Sequence, residues 1–449
     1  MSGETAMRAT RSNLRADLAV IGSGLAGTAA ALAAAEQGRS VIVVTRGSGA
    51  SHLSSGALDL ADDPVSARGR PERSIRDIPR NLQELLLRNP VHPYHLLLEG
   101  SGAPQPLLET LQQSFFKLFP AQGQLILEGS FQHNRFAFTS LGTVKATAFV
   151  PQATAAVGDP CLRQPLVIGF EEYPDFDPGF WPRIAAPLAE KLGAPMSAGQ
   201  SAWVRLGSAP DLSSPELARL LAEPEPAARF LAGVRDAARD FAGLTAIVLP
   251  PVLPARGRGR LLERLQEAAG VLVHELLSPP PSVPGLRLGL HLEERLAEAK
   301  VQVLRGSVVG FRAEGKNLRA LALEVAGRKL EVEATRFVLA TGSFAGGGIR
   351  KDKSFHEPVF HLPIFCGDHA VGEIYTAKLT HEVIAEPHLL FTCGLKADSS
   401  LCPLDPEGAP VFENLRAAGA ILQGSDPSRD GTGAGVAIAT GWQAGTSGG

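Results

Sequence analysis

The sequence contains few cysteines, and their positions exclude the common metal-binding patterns. Cys161, Cys366, Cys393 and Cys402 lie far apart in a chain of 449 residues, and no CxxC pair or Cys/His cluster occurs. We therefore predict no metal site, neither zinc nor an iron–sulfur cluster. The low cysteine content favours a reducing cytoplasmic setting, in which each thiol is a small buried group.

Long apolar runs and a strong net charge are also missing. No stretch reaches the roughly 18 to 20 apolar residues needed to cross a bilayer, and the polar start MSGETAMRATRSNLR lacks the apolar core of a secretory signal. The formal net charge is −3, which gives no general attraction to nucleic acid or to anionic lipid. Any association with a membrane would therefore come through a partner protein.

An acidic residue is missing from the end of a βαβ unit near the N-terminus. The sequence predicts an apolar strand over Asp17–Ile21, an alanine-rich helix over Thr28–Gln37 and a second strand over Ser40–Val44. In dinucleotide-binding units this second strand ends in Asp or Glu, which holds the adenosine ribose. Here it ends in Thr45 and Arg46. Thr accepts hydrogen bonds weakly and Arg not at all, so a plain NAD site is disfavoured.

Arg46 suits a phosphate instead. A guanidinium at this place could bind the 2′-phosphate of a nucleotide or the terminal phosphate of a shorter one such as FMN. A solvated loop charge is the alternative.

Between the first strand and the helix stands the glycine turn GSGLAG, with Gly22, Gly24 and Gly27. Gly22 permits the tight turn, Gly24 lets a phosphate approach the backbone, and Gly27 lets the helix pack closely on the sheet. The free N–H groups at the start of the helix would face the phosphate. This arrangement favours phosphate or dinucleotide binding over a glycine-rich turn of purely structural value.

Three later segments favour a flavin. The stretch SHLSSGALDL combines small hydroxyl residues with Gly56, so that a flat ring could approach backbone amides. A serine-rich helix cap is the alternative. Thr341 and Gly342 follow an apolar strand with little side-chain bulk, and DGTGAGVAIATG places glycines at the start of an apolar helix. The dipole of that helix could face the pyrimidine side of a reduced flavin.

These patterns predict an α/β protein with a Rossmann-like FAD/NAD(P)-binding flavoprotein fold and an inserted second domain, a cap or substrate domain. The segment LGLHLEERLAEAK reads as an amphipathic helix that returns the chain to the nucleotide domain, and VQVLRGSVVGFRAEG reads as the strand after it. The predicted divisions are a flexible tail over 1–15, the nucleotide-binding domain over 16–80 and 291–449, and the inserted domain over 81–290.

The chain resembles the B subunit of anaerobic glycerol-3-phosphate dehydrogenase. The resemblance rests on IGSGLAG, VVTRG, SSGALDL, HPYHLL, LGTVKAT, PPSVPGLRL, LATGSFAGGG and ENLRAAGAILQGSDP, which are spread over nearly the whole chain from Asp17 onward. The TRG ending of the second strand belongs to the pattern of that family. The resemblance therefore implies that the missing acidic residue is a family feature.

What the resemblance implies is a flavoprotein subunit with FMN, or alternatively FAD. Its partners would be a larger FAD-containing catalytic subunit and an iron–sulfur subunit that anchors the complex on the cytoplasmic face of the inner membrane. The complex would oxidise sn-glycerol 3-phosphate to dihydroxyacetone phosphate and pass electrons to quinone, for fumarate or nitrate respiration. The predicted cofactor-binding residues are Gly22, Ser23, Gly24, Gly27, Thr45, Arg46, Ser54, Ser55, Gly56, Thr341, Gly342, Gly419, Gly431, Gly433 and Gly435.

Oxidation of a secondary alcohol needs a general base near the hydroxyl and cations for the phosphate. His52 lies beside the predicted ring-binding turn and is the catalytic candidate, with a packing histidine as the alternative. Arg135 and Lys145 could face an anion or lie on a solvated surface, and for His92 we favour packing in a turn. Two other readings stay open: a stand-alone FAD- or NAD(P)-dependent oxidoreductase, and a cofactor-free scaffold subunit.

Overall fold

The computed structural model describes residues 12–62, 76–98, 104–123, 125–197, 199–383 and 386–447. The α-helices of the described residues are α1 (Leu25–Glu36), α2 (Ile78–Arg88), α3 (Pro104–Leu118), α4 (Trp181–Lys191), α5 (Ser214–Leu220), α6 (Pro224–Asp240), α7 (Arg258–Ala269), α8 (Val283–Glu298), α9 (Pro427–Asp430) and α10 (Gly433–Thr446). The first ten strands are β1 (Ser12–Ile21), β2 (Val41–Thr45), β3 (Leu127–Gly129), β4 (Arg135–Phe138), β5 (Val144–Thr147), β6 (Phe149–Pro151), β7 (Pro165–Phe170), β8 (Gln200–Val204), β9 (Ala246–Leu249) and β10 (Leu272–Glu275). The later strands are β11 (Gln302–Arg305), β12 (Ser307–Glu314), β13 (Asn317–Val325), β14 (Arg328–Leu339), β15 (Arg350–Lys351), β16 (Phe355–His356), β17 (Phe365–Cys366), β18 (His369–Ala370) and β19 (Leu415–Ala417).

The main sheet has the order β11-β2-β1-β14-β13-β12, with β19 added to β14. The strands β11, β2, β1, β14 and β19 are parallel, and β12 and β13 form an antiparallel extension. Apolar side chains cover both faces of the parallel part, where Leu18 to Ile21 and Val41 to Val44 are buried. This is the burial expected of parallel strands that have helices on their faces.

β1 is longer than the apolar run that predicts it. It pairs with β14 from Ser12 to Ile21, so the last four residues of the predicted tail belong to the sheet, and residues 1–11 lie outside the described residues. The polar first half of the strand is stabilised by cross-strand contacts, among them the ion pair between Arg15 and Glu333 at 2.9 Å. An apolar count could not find this half, because its pairing partner is more than 300 residues away.

The parallel strands end together at one edge of the sheet. Gly22, which follows β1, donates its N–H to the Val44 carbonyl of β2 at 2.8 Å, and Ala340, which follows β14, donates to the Ile21 carbonyl at 2.9 Å. Ligands of open α/β sheets bind outside this carboxyl edge. The edge therefore locates the candidate site.

α1 and α10 lie side by side on the main sheet and run in the same direction. A methyl group on Gly441 would collide with the Ala26 carbonyl, and one on Gly445 would collide with the Ala30 carbonyl. Glycine at both positions therefore allows the two backbones to touch. Because Gly441 lies opposite Ala26, the start of α10 extends about 10 Å beyond the start of α1, at about 1.5 Å per residue.

The chain between the two parts of the main sheet builds a second parallel sheet with the order β10-β9-β7-β8 and its own apolar core. The helices α2 and α3 instead share a buried cluster with α1, α8 and α10. The predicted boundary between residues 290 and 291 falls inside α8, which begins at Val283. Ser282 caps α8 by accepting the Gly285 N–H at 3.0 Å, and Pro284 occupies the first turn of the helix.

Candidate functional site

The three glycines of the turn after β1 have different surroundings. Gly22 has a φ of +110°, and a methyl group there would collide with the Ala340 carbonyl. A methyl group on Gly27 would collide with the Gly22 carbonyl. Gly24 has ordinary backbone angles, and the nearest atom to a methyl group there would be Ser51 Oγ at 3.6 Å. Gly22 and Gly27 are therefore required by close packing, whereas a methyl group on Gly24 would make only an ordinary van der Waals contact.

Residues 49–56 lie across the start of α1. Ser51 Oγ accepts the Leu25 N–H at 3.1 Å, which is one of the backbone donors that a helix start leaves without an intrahelical partner. Ser54 Oγ donates to the Ser51 carbonyl at 2.8 Å, Ser55 is partly buried, and Gly56, with a φ of +80°, packs against Pro284 of α8. The segment is thus held between α1 and α8. Sequence reasoning missed Ser51, although it is the hydroxyl residue that begins SHLSSG.

His52 points towards α8. A methyl group on Gly289 would collide with the imidazole, and Nδ1 of His52 is buried without a hydrogen-bond partner. Burial lowers the pKa of His52, so its neutral form prevails at pH 7. Glu293 raises the pKa of His52 and Arg305 lowers it, each by a smaller amount than burial does. The imidazole is therefore half-buried and lies on the α8 side of the edge.

At the end of β2, the Thr45 hydroxyl is used within the chain. It accepts from Ser23 Oγ at 2.9 Å and donates to the Gly47 carbonyl at 2.9 Å, whereas Arg46 is exposed. Arg305 of β11 stands opposite Thr45 in the parallel register and pairs with Glu293 at 3.1 Å. Glu293 thereby brings a carboxylate towards this edge. Only the pairing of β11 with β2 reveals this position of Glu293, since the two strands are remote in sequence.

Thr341 and Gly342 follow β14 at the same edge. Thr341 Oγ1 is buried and has no hydrogen-bond partner, which is a costly state for a hydroxyl group. Gly342 has a φ of +74°, which glycine adopts without strain. The hydroxyl of Thr341 is thus a polar atom that a ligand at the edge could satisfy.

The predicted glycines near the C-terminus mainly contact the chain itself. Gly419 donates its N–H to Thr440 Oγ1 at 2.8 Å and packs on Ala26 of α1. A methyl group on Gly431 would collide with Asp62, one on Gly435 would collide with the Tyr94 hydroxyl, and one on Gly433 would lie 3.1 Å from Pro427. The Gly435 N–H donates to the Asp59 carbonyl at 2.9 Å. Close packing therefore accounts for Gly419, Gly431 and Gly435.

Lys145 and His92 lie beside this C-terminal turn. Lys145 Nζ forms an ion pair with Asp59 Oδ2 at 2.8 Å; burial lowers the pKa of Lys145, but Asp59 outweighs that effect and holds it above its usual value. His92 accepts the Tyr94 N–H at Nδ1, so its Nε2 donates to Thr432 Oγ1 at 3.3 Å, and burial lowers its pKa to about 3. His92 thus packs in a turn. Arg135 pairs with Glu128 and with Asp159, each at 3.5 Å.

A cleft of about 1050 Å³ opens elsewhere, between α7, α8 and the loops around β6 and β10. Arg135, Arg258 and His274 line it together with the Cys161 side chain. No predicted cofactor-binding residue lies in this lining. Across the described residues, no group of three or more His, Cys, Asp or Glu side chains could hold a metal ion, and no helix there is long and apolar enough to span a bilayer.

The residues at the carboxyl edge fit the phosphate end of a nucleotide. A methyl group on Gly24 would meet only Ser51 Oγ, at 3.6 Å, so the backbone beside the start of α1 is not crowded. The Ser51 hydroxyl can donate to a phosphate oxygen as well as accept. The unpartnered Thr341 hydroxyl provides a second donor at the same edge. The glycine turn, Ser23, Thr45 and Thr341 are thus brought together, whereas Gly431 and Gly435 stand at the start of α10, further out.

Comparison with known proteins gives a family match over most of the chain. The family model described as "FAD binding domain" matches residues 17–436. The B subunit of anaerobic glycerol-3-phosphate dehydrogenase from Pectobacterium carotovorum is 30% identical over 436 residues, which cover 95% of this chain and 96% of the relative. The protein of the same name from Yersinia pseudotuberculosis is 30% identical over 435 residues, with 95% and 96% covered. Among solved structures, 3-ketosteroid delta1-dehydrogenase from Sterolibacterium denitrificans superposes with a TM-score of 0.42 at 14% identity, over 96% of this chain and 98% of that chain.

Proposed function

The chain belongs to the FAD binding domain family and, within it, to the B subunits of anaerobic glycerol-3-phosphate dehydrogenase, and from this premise we propose that it is the flavin-binding redox subunit of a glycerol-3-phosphate dehydrogenase complex. The coarser statement, an oxidoreductase that acts as one subunit of a dehydrogenase complex, follows from the relatives that span nearly its whole length. The flavin site and the electron path are the proposal.

The observation that carries the proposal is the arrangement of the carboxyl edge. The start of α1, the uncrowded backbone of Gly24 and the buried Thr341 hydroxyl all lie where β1 and β14 end. A helix start with free N–H groups favours a phosphate. We infer that the Gly24 backbone and the Ser51 hydroxyl hold the phosphate end and that Thr341 orients the rest of the cofactor. When bound, a flavin would supply hydride acceptance and onward electron transfer.

Both flavins are compatible with this edge, but FAD is the better supported. The sequence favoured FMN because Thr45 and Arg46 stand where a ribose-binding carboxylate is expected. The family model that matches the chain, in contrast, is described as an FAD binding domain. Glu293 offers a carboxylate at the same edge through its pair with Arg305. An FAD ribose near Thr45 could use this carboxylate.

The substrate, the acceptor and the partner subunits are proposed from the name that the relatives carry. We propose sn-glycerol 3-phosphate as the substrate of the complex, dihydroxyacetone phosphate as its product and quinone as its acceptor, in anaerobic respiration with fumarate or nitrate. A larger FAD-containing subunit and an iron–sulfur subunit would complete the complex, and the latter would attach this chain to the cytoplasmic face of the membrane. Because Arg135 and Lys145 are both engaged by carboxylates, the substrate phosphate is better placed on the larger subunit.

One observation favours the scaffold alternative. The Leu25 N–H at the start of α1 is bonded to Ser51, and the Gly435 N–H at the start of α10 is bonded to the Asp59 carbonyl. Part of both helix starts is therefore occupied by the chain. A scaffold subunit would bind its partners without binding any flavin.

The deciding experiment starts from this chain co-expressed with its genomic neighbours. The complex is purified, the chains are separated, and the flavin released by heat is identified and assigned to each chain, while turnover is measured with glycerol 3-phosphate and a quinone analogue. We expect a yellow chain in a complex with glycerol-3-phosphate-dependent quinone reduction. A colourless chain in an active complex would support the scaffold; a chain that reduces acceptors alone would support the stand-alone oxidoreductase.

The role of His52 as a general base is a hypothesis that substitution can test. Because the half-buried imidazole packs against Gly289 of α8, we expect His52→Ala to lower the melting temperature and to leave the turnover of the complex within about threefold of the parent. Loss of a true general base costs about 10²- to 10⁴-fold. A loss of that size in a folded complex, with the acidic limb of the pH profile of kcat/KM abolished, would show that His52 is the base.

His95→Ala is the matched control for that substitution. His95 is also partly buried, and its Nε2 lies 3.0 Å from the Leu86 carbonyl, in a part of the chain remote from β2. Equal losses of turnover in both variants would point to general destabilisation and not to base catalysis.

A further inference from the structure

Cys366 and Cys393 face each other across a short antiparallel pairing. The Phe365 N–H donates to the Gly394 carbonyl at 2.8 Å, and the Gly394 N–H donates to the Phe365 carbonyl at 3.0 Å. Since this pair exchanges both hydrogen bonds, its neighbours Cys366 and Cys393 form the adjacent non-hydrogen-bonded pair. The Cα atoms of such pairs are about 4.5 Å apart, within the range of about 4.4 to 6.8 Å that a disulfide requires.

The two sulfur atoms also share a neighbour. The Cys393 thiol donates to the Leu389 carbonyl at 3.2 Å, and Cys366 Sγ lies 4.0 Å from the same oxygen. Cys366 is partly exposed, whereas Cys393 is 1% exposed. A reagent from solution would therefore meet Cys366 first, with Cys393 directly behind it.

The other two cysteines have different partners. Cys161 Sγ lies 3.3 Å from His274 Nε2, beside the second parallel sheet, and Cys402 accepts from Arg416 at 2.8 Å. Burial raises the pKa of both thiols. These two cysteines therefore serve as internal controls for any reaction of the facing pair.

The two thiols of the facing pair differ in pKa. Contact with Cys393 lowers the pKa of Cys366, against the effect of burial, and contact with Cys366 together with burial raises the pKa of Cys393. The partly exposed sulfur is thus the better thiolate, and the buried one stays protonated. An attacking thiol in front of a resolving thiol is the arrangement that thiol–disulfide exchange uses.

We propose that Cys366 and Cys393 are a redox-active dithiol that a low-molecular-weight disulfide oxidises to an intramolecular disulfide. The Cys366 thiolate attacks one sulfur of the small disulfide; the S–S bond breaks, and one small thiol leaves with a proton from solvent. The Cys393 thiol then loses its proton, its sulfur attacks Cys366 Sγ, and the second small thiol leaves. Two protein thiols are oxidised by two electrons in total, and one small disulfide is reduced to two thiols.

The cross-link would lie next to the chain that leads to α10. The Leu395 N–H donates to the Ile421 carbonyl and the Gly424 N–H donates to the Thr392 carbonyl, each at 2.8 Å. A disulfide between residues 366 and 393 would covalently fix β17 to the segment that hydrogen-bonds to the chain before α10. In a reducing cytoplasm a disulfide of this kind would form transiently, as redox-sensing disulfides do.

The test uses the purified full chain and glutathione disulfide, without denaturant. At each time point the oxidation is quenched with acid, and only then is the chain unfolded so that buried unreacted thiols are alkylated as well. Peptides are analysed by mass spectrometry without reduction. We expect a Cys366–Cys393 cross-linked peptide two hydrogens lighter than the reduced pair, with Cys161 and Cys402 still alkylated, and we expect dithiothreitol to reverse it. Alkylation of both Cys366 and Cys393 throughout, or cross-links that involve Cys161 or Cys402 instead, would overturn the proposal.

Serine variants assign the two steps. Cys393→Ser should stop at a glutathione mixed disulfide on Cys366, Cys366→Ser should slow glutathione incorporation at least tenfold, and the matched control Cys402→Ser should cross-link like the parent. A mixed disulfide that persists on Cys366 in the parent chain would contradict a resolving role for Cys393. If a serine variant does not fold, the time series on the parent decides, with urea-denatured chain as the reference for unselective pairing.

Discussion

Glu275→Gln is expected to lower the free energy of unfolding by about 3 to 5 kcal/mol, the cost of leaving a buried ion pair with one partner. Glu275 ends β10 and is 2% exposed. It accepts from Arg287 at 2.8 and 2.9 Å and from Arg258 Nε at 2.7 Å, and we call these three residues the Glu275 clamp. Burial raises the pKa of Glu275, but the two guanidinium groups outweigh it and hold the pKa below its usual range. Removing its charge leaves two guanidinium groups with no carboxylate between them.

The measurement is unfolding by urea at constant pH, followed by fluorescence. Glu294→Gln is the matched control, because Glu294 stands on α8, the helix that carries Arg287, and pairs with the exposed Arg256 at 3.0 Å. Exposed pairs contribute about 1 kcal/mol or less, so this control should unfold within about 1 kcal/mol of the parent. The double variant Glu275→Leu with Arg287→Met should recover part of the loss. Equal stability of Glu275→Gln and the parent would contradict a stabilising role for the Glu275 clamp.

The Glu275 clamp matters for the site because it fixes α8 to the second sheet. Arg287 lies on α8 and Arg258 on α7, so one carboxylate joins both helices to the end of β10. The same helix α8 packs on His52 and Gly56. A loosened clamp would therefore also loosen the segment that covers the start of α1.

The βαβ unit could be predicted from the sequence because its signals are local. Apolar runs and a glycine turn stand next to one another, and the observed elements β1, α1 and β2 follow in that order. The helix begins at Leu25 and not at Thr28, because Gly27 stands in its first turn and reads as part of the loop. The family resemblance is confirmed by the relatives that cover about 95% of the chain.

The errors come from contacts that link distant parts of the chain. The single strand predicted over VQVLRGSVVGFRAEG is two strands, β11 and β12, because Gly306 gives its N–H to the Thr45 carbonyl at 2.8 Å and the chain then changes partner. Ser51, Glu293 and Glu275 were missed for the same reason. Each acts through a partner that periodicity and spacing do not reveal.

The sequence predicted the local surroundings of some site glycines and not the long-range contacts of others. Gly22 and Gly27 stand in a motif whose geometry is known, and their surroundings match the roles that the motif assigns. Gly431 and Gly435 have no room for a side chain, because Asp62 lies against the first and Tyr94 against the second. Only the packing around α10 reveals these contacts. Their part in flavin binding remains a prediction.

Gly24→Ala is expected to weaken flavin binding at least tenfold, or about 1.4 kcal/mol, while the fold stays intact. The nearest atom to the added methyl group is Ser51 Oγ at 3.6 Å, and the backbone of Gly24 has a φ of −70° that alanine adopts readily. The methyl group would instead occupy the space through which a phosphate reaches the start of α1. Titration of the purified chain with FAD and with FMN, followed by flavin fluorescence, measures the effect.

Two further alanine variants separate binding from folding. Gly27→Ala places its methyl group against the Gly22 carbonyl and should lower the melting temperature and abolish binding together. Gly259→Ala, exposed in the first turn of α7 with no atom within 4 Å of the added group, should change neither. If Gly24→Ala binds both flavins as the parent does, the phosphate does not lie at this turn. If the parent binds neither flavin but still joins its partner subunits, the result supports the scaffold role. In a scaffold no phosphate approaches the turn, and close packing then requires glycine only at positions 22 and 27.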